Sequence, residues 1–222
     1  MEELAELDAE RARLVGQRGR AILEDARAIV DTDGVSDITT RLRHGDIVEA
    51  IGEIEGGASL LVVGKRGEAA DFAKGHLGSN LERIVRAAHR PVLVASRAFR
   101  PVSSVLVAHD GGRPAMKAVD HIARSPLFAD LAVTVVTVGA DTAEARKALA
   151  DAAALLKAAG IEAATRILSG QPETELGRLV EAEGFGLVVM GAYGHGRIRS
   201  LVIGSTTTEM IRSCKVPILL MR

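Results

Sequence analysis

The chain has 222 residues, 47% of them hydrophobic and 26% charged, a composition that supports a buried core and argues against disorder. Twenty-eight basic residues stand against 29 acidic ones, so no basic excess draws the chain to nucleic acid or to an anionic membrane. Aromatics amount to 2%, too few for a base-stacking platform, and the single cysteine, Cys214, rules out an intramolecular disulfide and fits a reducing compartment.

Leu4, Leu7, Leu14, Ile22, Leu23 and Ile29 form a broken apolar stripe among charges, which predicts one helix over the first thirty residues. Asp33-Gly34 supplies its stop. A short strand over Ile38 to Leu42, a helix from about Asp46 to Glu55 and a strand at Leu60 to Val63 are expected next. A glycine-bearing loop spans Gly64 to Gly78, a helix begins near Ser79, and Pro91 to Ala95 closes the first half as a strand. In the second half, Val105 to Ala108 reads as a strand, Arg113 to Ala123 as a helix, and the β-branched run Val133 to Val138 as a strand. Ala143 to Ala159 is an Ala/Leu-rich helix stopped by Gly160, its apolar stripe read as core. Ala163 to Leu168 is a strand, and Pro172 to Ala182 a helix with proline in its first turn. Leu187 to Met190, a loop, a helix over Ser205 to Ser213 and a strand over Pro217 to Met221 complete the order. No run approaches the ~18 apolar residues of a membrane helix. The amino terminus is acidic where a secretory leader would be basic, so a soluble cytoplasmic protein is expected.

The strands are continuously apolar rather than alternating, the pattern of a parallel sheet covered by helices on both faces. With strand and helix alternating, the second half reads as a five-stranded, doubly wound α/β domain of Rossmann-like type. The two halves also repeat. Gly64 and Gly67 align with Gly191 and Gly194, and Gly78-Ser79, Arg86 and Pro91 align with Gly204-Ser205, Arg212 and Pro217. This predicts a partial domain at 1–98, lacking its first strand–helix–strand, and a complete domain at 101–222.

In an open parallel sheet, ligands settle at the carboxyl ends of the strands where the connections change direction. Asp110-Gly111-Gly112, Val138-Gly139 and Gly191-Ala192-Tyr193-Gly194, followed nine residues later by Gly204-Ser205, occupy such positions. Glycines let backbone N–H groups approach an anion, and the helix after Gly204 adds its unpaired N–H groups and positive dipole end. Ser205, Thr206, Thr207 and Thr208 add hydroxyls, while Arg197 and Arg199 are candidates to neutralise phosphate. Structural uses compete: Thr206 with Glu209 fits a capping box, and Asp110 suits a cap on the following helix. His109, His121 and His195 lack metal-ligand spacing and read as surface or loop residues, and Cys214 as a small packing residue.

The spacing Gly191-x2-Gly194-x9-Gly204-Ser205, with Val107-Ala108-His109-Asp110-Gly111 upstream and Val216-Pro217-Ile218-Leu219 downstream, resembles the universal stress protein family as a tandem pair. The resemblance implies a sheet order 3-2-1-4-5 and an adenine nucleotide, ATP with Mg²⁺, in the second domain. Its carried-over contacts are Ala108, Asp110, Val138, Met190, Gly191, Gly194, Gly204, Ser205 and Thr206. It also implies that Pro91 to Ala95 and Pro217 to Met221 pair as edge strands within the chain, with a homodimer as further assembly. The first half has ten residues rather than nine between Gly67 and Gly78, and no Val-x-Val-x-x-Asp strand, so it is not expected to bind ATP by itself. Without the two leading strands, the strand near residue 40 is separated from those near 62 and 93. Either it is rearranged, or a second chain fills the gap, or the sequence begins downstream of the natural start.

There is no GxxxxGK[ST] loop, no HExxH helix and no GxSxG elbow, and the paired-histidine and SGGxDS signatures of enzymes sharing the broader fold are absent. No general base stands beside the phosphate loop, which argues against a fast ATPase; the family resemblance implies at most slow hydrolysis, or autophosphorylation at Ser205 to Thr208. Two readings remain: a nucleotide-responsive stress regulator, which the intact glycine spacing favours, and an interaction scaffold that binds no nucleotide.

Overall fold

The computed structural model describes residues 2–65, 79–193 and 203–222. These form two compact units, 1–46 and 47–222. In the first, helix α1 (Glu2–Thr32) realises the predicted amphipathic segment, although Leu4, Leu7, Leu14, Ile22 and Ile29 stay exposed. Its end is a Schellman motif: Gly34 takes φ +90°, its N–H donates to Asp31 O, and Val35 N–H donates to Val30 O. The strand expected over Ile38 to Leu42 does not form, and residues 35–46 hold neither helix nor strand. The stretch instead packs on α1, with a Leu42 methyl 2.7 Å from where a Cβ on Gly19 would lie. A strand exists only when a neighbour satisfies its N–H and C=O groups, and this unit has no other strand among its described residues.

The second unit contains α2 (Ile47–Ile54), β1 (Leu61–Gly64), α3 (Ser79–Ala87) and β2 (Val92–Ala95). It continues with β3 (Ser104–Ala108), α4 (Arg113–Arg124), β4 (Ala132–Val138), α5 (Ala143–Ala158) and β5 (Ala163–Leu168). Then come α6 (Pro172–Glu183), β6 (Leu187–Gly191), α7 (Ser205–Ser213) and β7 (Ile218–Met221). The described strands form a seven-stranded sheet of order β1-β2-β7-β6-β3-β4-β5. From β5 to β7 every pair is parallel, so the second half has the expected order 3-2-1-4-5.

Alternation along the buried strands explains why they read as unbroken apolar runs. Leu106, Val136, Val188 and Ile218 face one side, with Leu81 and Val85 of α3, Leu176 of α6 and Met210 of α7 in the same cluster. Val105, Val107, Val135 and Leu219 face the other, with Val119 and Ile122 of α4 and Leu149 and Leu156 of α5. Both faces are dry, so each position along a central strand is apolar. The stripe of α5 is core, as expected, and Cys214 is buried among the α3 and α7 side chains. Burial pushes its thiol pKa up.

The halves meet edge to edge. β2 pairs antiparallel with β7, Val92 opposite Leu220, Leu93 opposite Leu219 and Val94 opposite Ile218. This is the intrachain pairing expected of the Pro91 to Ala95 and Pro217 to Met221 segments, and it satisfies two edges that would otherwise be open. Within the first half, the buried Glu55 carboxylate accepts the His89 backbone N–H at 2.9 Å and lies 2.7 Å from His89 Nδ1, ahead of β2. These contacts, the backbone hydrogen bond first, hold the Glu55 carboxyl below its ordinary pKa.

Candidate functional site

At the carboxyl ends of β3 and β6 the chain's connections turn to opposite faces of the sheet, which opens a crevice between their exit loops. Ala108 and Met190 are register partners at that point, and Ala108 also stands opposite Val136. The crevice is a cavity of about 440 Å³, within the size range of small-molecule sites. Its apolar wall is Ala108, Val136, Val138, Leu176, Met190 and Ile203, and its polar side is Asp110, Ser205, Thr206 and Thr207.

The β3–α4 turn is fixed by its own side chains. His109 N–H donates to Val136 O at 2.8 Å, Thr137 Oγ1 donates to His109 O at 2.8 Å, and Gly111 N–H donates to His109 Nδ1 at 3.3 Å. Gly111 takes φ +80°, which only glycine adopts without strain. Asp110 Oδ1 accepts the Gly112 N–H at 2.8 Å, while Gly112, not Asp110, is the N-cap of α4. The structural use of Asp110 is thus a turn rather than a helix cap, and its exposed carboxylate still lines the cavity.

The opposite side is the start of α7. Gly204 is its N-cap with no side-chain cap, and the first intrahelical bond runs from Thr208 N–H to Gly204 O at 2.9 Å. The N–H groups of Ser205, Thr206 and Thr207 precede that bond, so none has an intrahelical acceptor. The expected capping box of Thr206 with Glu209 does not form, because Thr206 stands inside the helix and Glu209 pairs with Arg212 at 2.8 Å. Thr206 Oγ1 donates to Glu173 Oε2 at 3.4 Å, and the buried Thr207 donates Oγ1–H to Gly191 O at 3.2 Å.

Eight of the nine residues singled out from the sequence, Ala108, Asp110, Val138, Met190, Gly191, Gly204, Ser205 and Thr206, therefore line one cavity. Gly194, Arg197, Arg199 and the first-half loop residues Gly67 and Gly78 lie outside the described residues. Gly191 has a packing duty of its own: a Cβ there would sit 2.8 Å from Pro114 Cβ and 3.3 Å from the Ala115 backbone nitrogen. Among the described residues the lining contains no lysine or arginine, and no group of three His, Cys, Asp or Glu forms a metal site.

Sequence reasoning missed several lining residues. His109 lies in the β3–α4 loop, one of the two places read for it, but it is 3% exposed and lines the cavity rather than the surface. Pro172 and Leu176 arrive from α6, and no local motif marks them. Tyr193 was legible as part of the glycine motif. It is buried, its hydroxyl donates to Val85 O of α3 at 3.5 Å, and the Arg222 guanidinium lies 5.9 Å from its ring centre. Burial raises the Tyr193 phenol pKa.

The model of the universal stress protein family matches residues 1–96 and 138–222. Universal stress protein Slr1230 from Synechocystis sp. is 35% identical over 225 aligned residues, covering 100% of this chain and 78% of that protein. Universal stress protein MJ0577 from Methanocaldococcus jannaschii is 26% identical over 81 residues, 36% of this chain and 50% of that one. The crystal structure of a universal stress protein from Archaeoglobus fulgidus superposes with a TM-score of 0.74 at 23% identity, over 93% of this chain and 77% of its own, a likeness of fold. No described helix is long and apolar enough to cross a membrane.

Proposed function

Since the chain belongs to the universal stress protein family, we propose that it binds an adenine nucleotide, ATP with Mg²⁺, in the cavity between β3 and β6 and acts as a nucleotide-responsive regulator rather than a fast enzyme. The observation that carries this reading is the convergence of Ala108, Asp110, Val138, Met190, Gly191, Gly204, Ser205 and Thr206 on one cavity. The apolar wall suits a flat base, Asp110 suits a ribose hydroxyl, and the three N–H groups opening α7 suit phosphate oxygens. Gly194 belongs to the same loop in this reading. With no cluster of carboxylates among the described residues to cage it, Mg²⁺ would be held chiefly through the phosphates.

The assembly we infer is two family repeats, 1–98 and 101–222, paired through β2 and β7, with the nucleotide site in the second and a homodimer as the next level. A cytoplasmic setting accords with the free thiol of Cys214. Equilibrium binding of labelled ATP in Mg²⁺ tests the function: saturation below millimolar nucleotide is expected. No binding at millimolar nucleotide overturns it in favour of an interaction scaffold.

A further inference from the structure

We propose that Glu173 makes polyphosphate binding at this cavity depend on Mg²⁺, so that the site discriminates against free ATP and accepts its magnesium complex. This rests on the nucleotide reading above. Glu173 is in the first turn of α6, directly after the cavity-lining Pro172, and its Oε2 accepts the Thr206 hydroxyl at 3.4 Å. It lines a groove of about 570 Å³ that shares Ser205 with the cavity. A carboxylate is therefore already stationed where the N–H groups of α7 would meet phosphate.

Among the described residues, the surrounding charge does not offset it. The cavity lining has no lysine or arginine among the described residues. In the groove, Arg178 is bridged to Glu175 at 3.1 Å and Lys215 to Glu181 at 2.8 Å. A phosphate arriving without a cation faces Glu173 at short range, and like charges a few ångströms apart in a half-exposed site repel by roughly a tenfold change in affinity. Magnesium on the phosphates removes most of that repulsion. An uncharged adenosine, which ends before the phosphates, does not meet it.

A bland role competes: an acidic residue in the first turn of α6 favours that helix through its dipole. That role alters stability and leaves ligand ratios untouched, so the two are separable. Titration calorimetry of the wild type and Glu173→Gln, with adenosine, free ATP in EDTA and Mg²⁺-ATP, makes the comparison. Glutamine keeps an acceptor oxygen for Thr206. Glu183→Gln, a charge change in the same helix that lines neither the cavity nor the groove, serves as the charge control.

Glu173→Gln should tighten free ATP by about tenfold, leave adenosine within about twofold, and narrow the gap between free and magnesium-bound ATP. Glu183→Gln should leave the ratios as they are. An unchanged ratio of free ATP to adenosine in Glu173→Gln, with both ligands binding, overturns the role of Glu173 alone. Absence of binding for adenosine and for both forms of ATP, in the wild type and in the variant, overturns the nucleotide reading and this inference with it.

Discussion

Gly191→Ala offers a sharp test of how the site is built, because the first glycine of the loop motif has a duty that no ligand imposes. At the end of β6 an added Cβ would sit 2.8 Å from Pro114 Cβ, 3.3 Å from the Ala115 nitrogen and 3.4 Å from the Pro114 carbonyl carbon. Carbon atoms pack best about 3.5–4.0 Å apart, so the strand end and the first turn of α4 must separate by roughly 0.7–1.2 Å. None of the three atoms belongs to a flexible side chain that can swing aside. Overpacking of this kind typically costs about 1–3 kcal/mol. At about 2–4 °C per kcal/mol for a domain of this size, Tm should fall by roughly 2–12 °C. Urea denaturation with an unchanged m-value, beside a thermal melt, measures it. The same displacement strains the Thr207 hydroxyl bond to Gly191 O, so the opening of α7 is disturbed as well. A Gly191→Ala protein as stable as the wild type would refute the argument and leave the glycine needed only for ligand approach.

On the family motif that puts Gly194 in the phosphate loop, Gly194→Val should abolish nucleotide binding while leaving the denaturation midpoint in place; retained affinity removes Gly194 from the proposed site. Glu55 governs part of the acid stability. Its folded pKa lies below the ordinary value, so its contribution is complete above the unfolded carboxylate pKa and is lost as pH falls through the folded one. Glu55→Gln should flatten the fall of the urea midpoint as pH drops through and below the ordinary carboxylate range, and an unaltered slope shows that Glu55 contributes nothing there. Gly34→Ala forces a residue with a Cβ into φ +90°, at a cost of about 1–2 kcal/mol, and should speed amide exchange of Val35 by about tenfold. Unchanged protection at Val35 counts against the Schellman ending of α1.

The architecture of the second half was legible because each central strand buries both faces. Val105-Leu106-Val107 and Val188-Val189 are apolar at every position, and the helices between them are punctuated by Gly160, Pro172 and Gly184. Ile38-Thr39-Thr40-Arg41-Leu42 carries only a weaker, partly polar signal, and strand formation is a property of pairs; among the described residues this segment has no strand partner in its unit. The glycine spacing likewise marked Gly191, Gly204, Ser205 and Thr206 as neighbours of one site, because such loops are local in sequence. It did not reveal that Gly191 is demanded by Pro114, that His109 is buried, or that α6 supplies Pro172 and Leu176.

Composition and charge pointed to a chain with a buried core and no basic excess to draw it to nucleic acid or an anionic membrane. Residue periodicity then determined most of the order of strands and helices and the doubly wound class of the second half. Those features follow from burial and backbone geometry acting over a few residues at a time. Only the tertiary structure decided that β2 and β7 join antiparallel, that residues 35–46 stay outside the sheet, and that Glu173 stands beside Thr206 at the opening of α7. Each of these depends on groups far apart in the chain meeting in space, where hydrogen-bond partners, close contacts and opposing charges are set by the packing of whole elements.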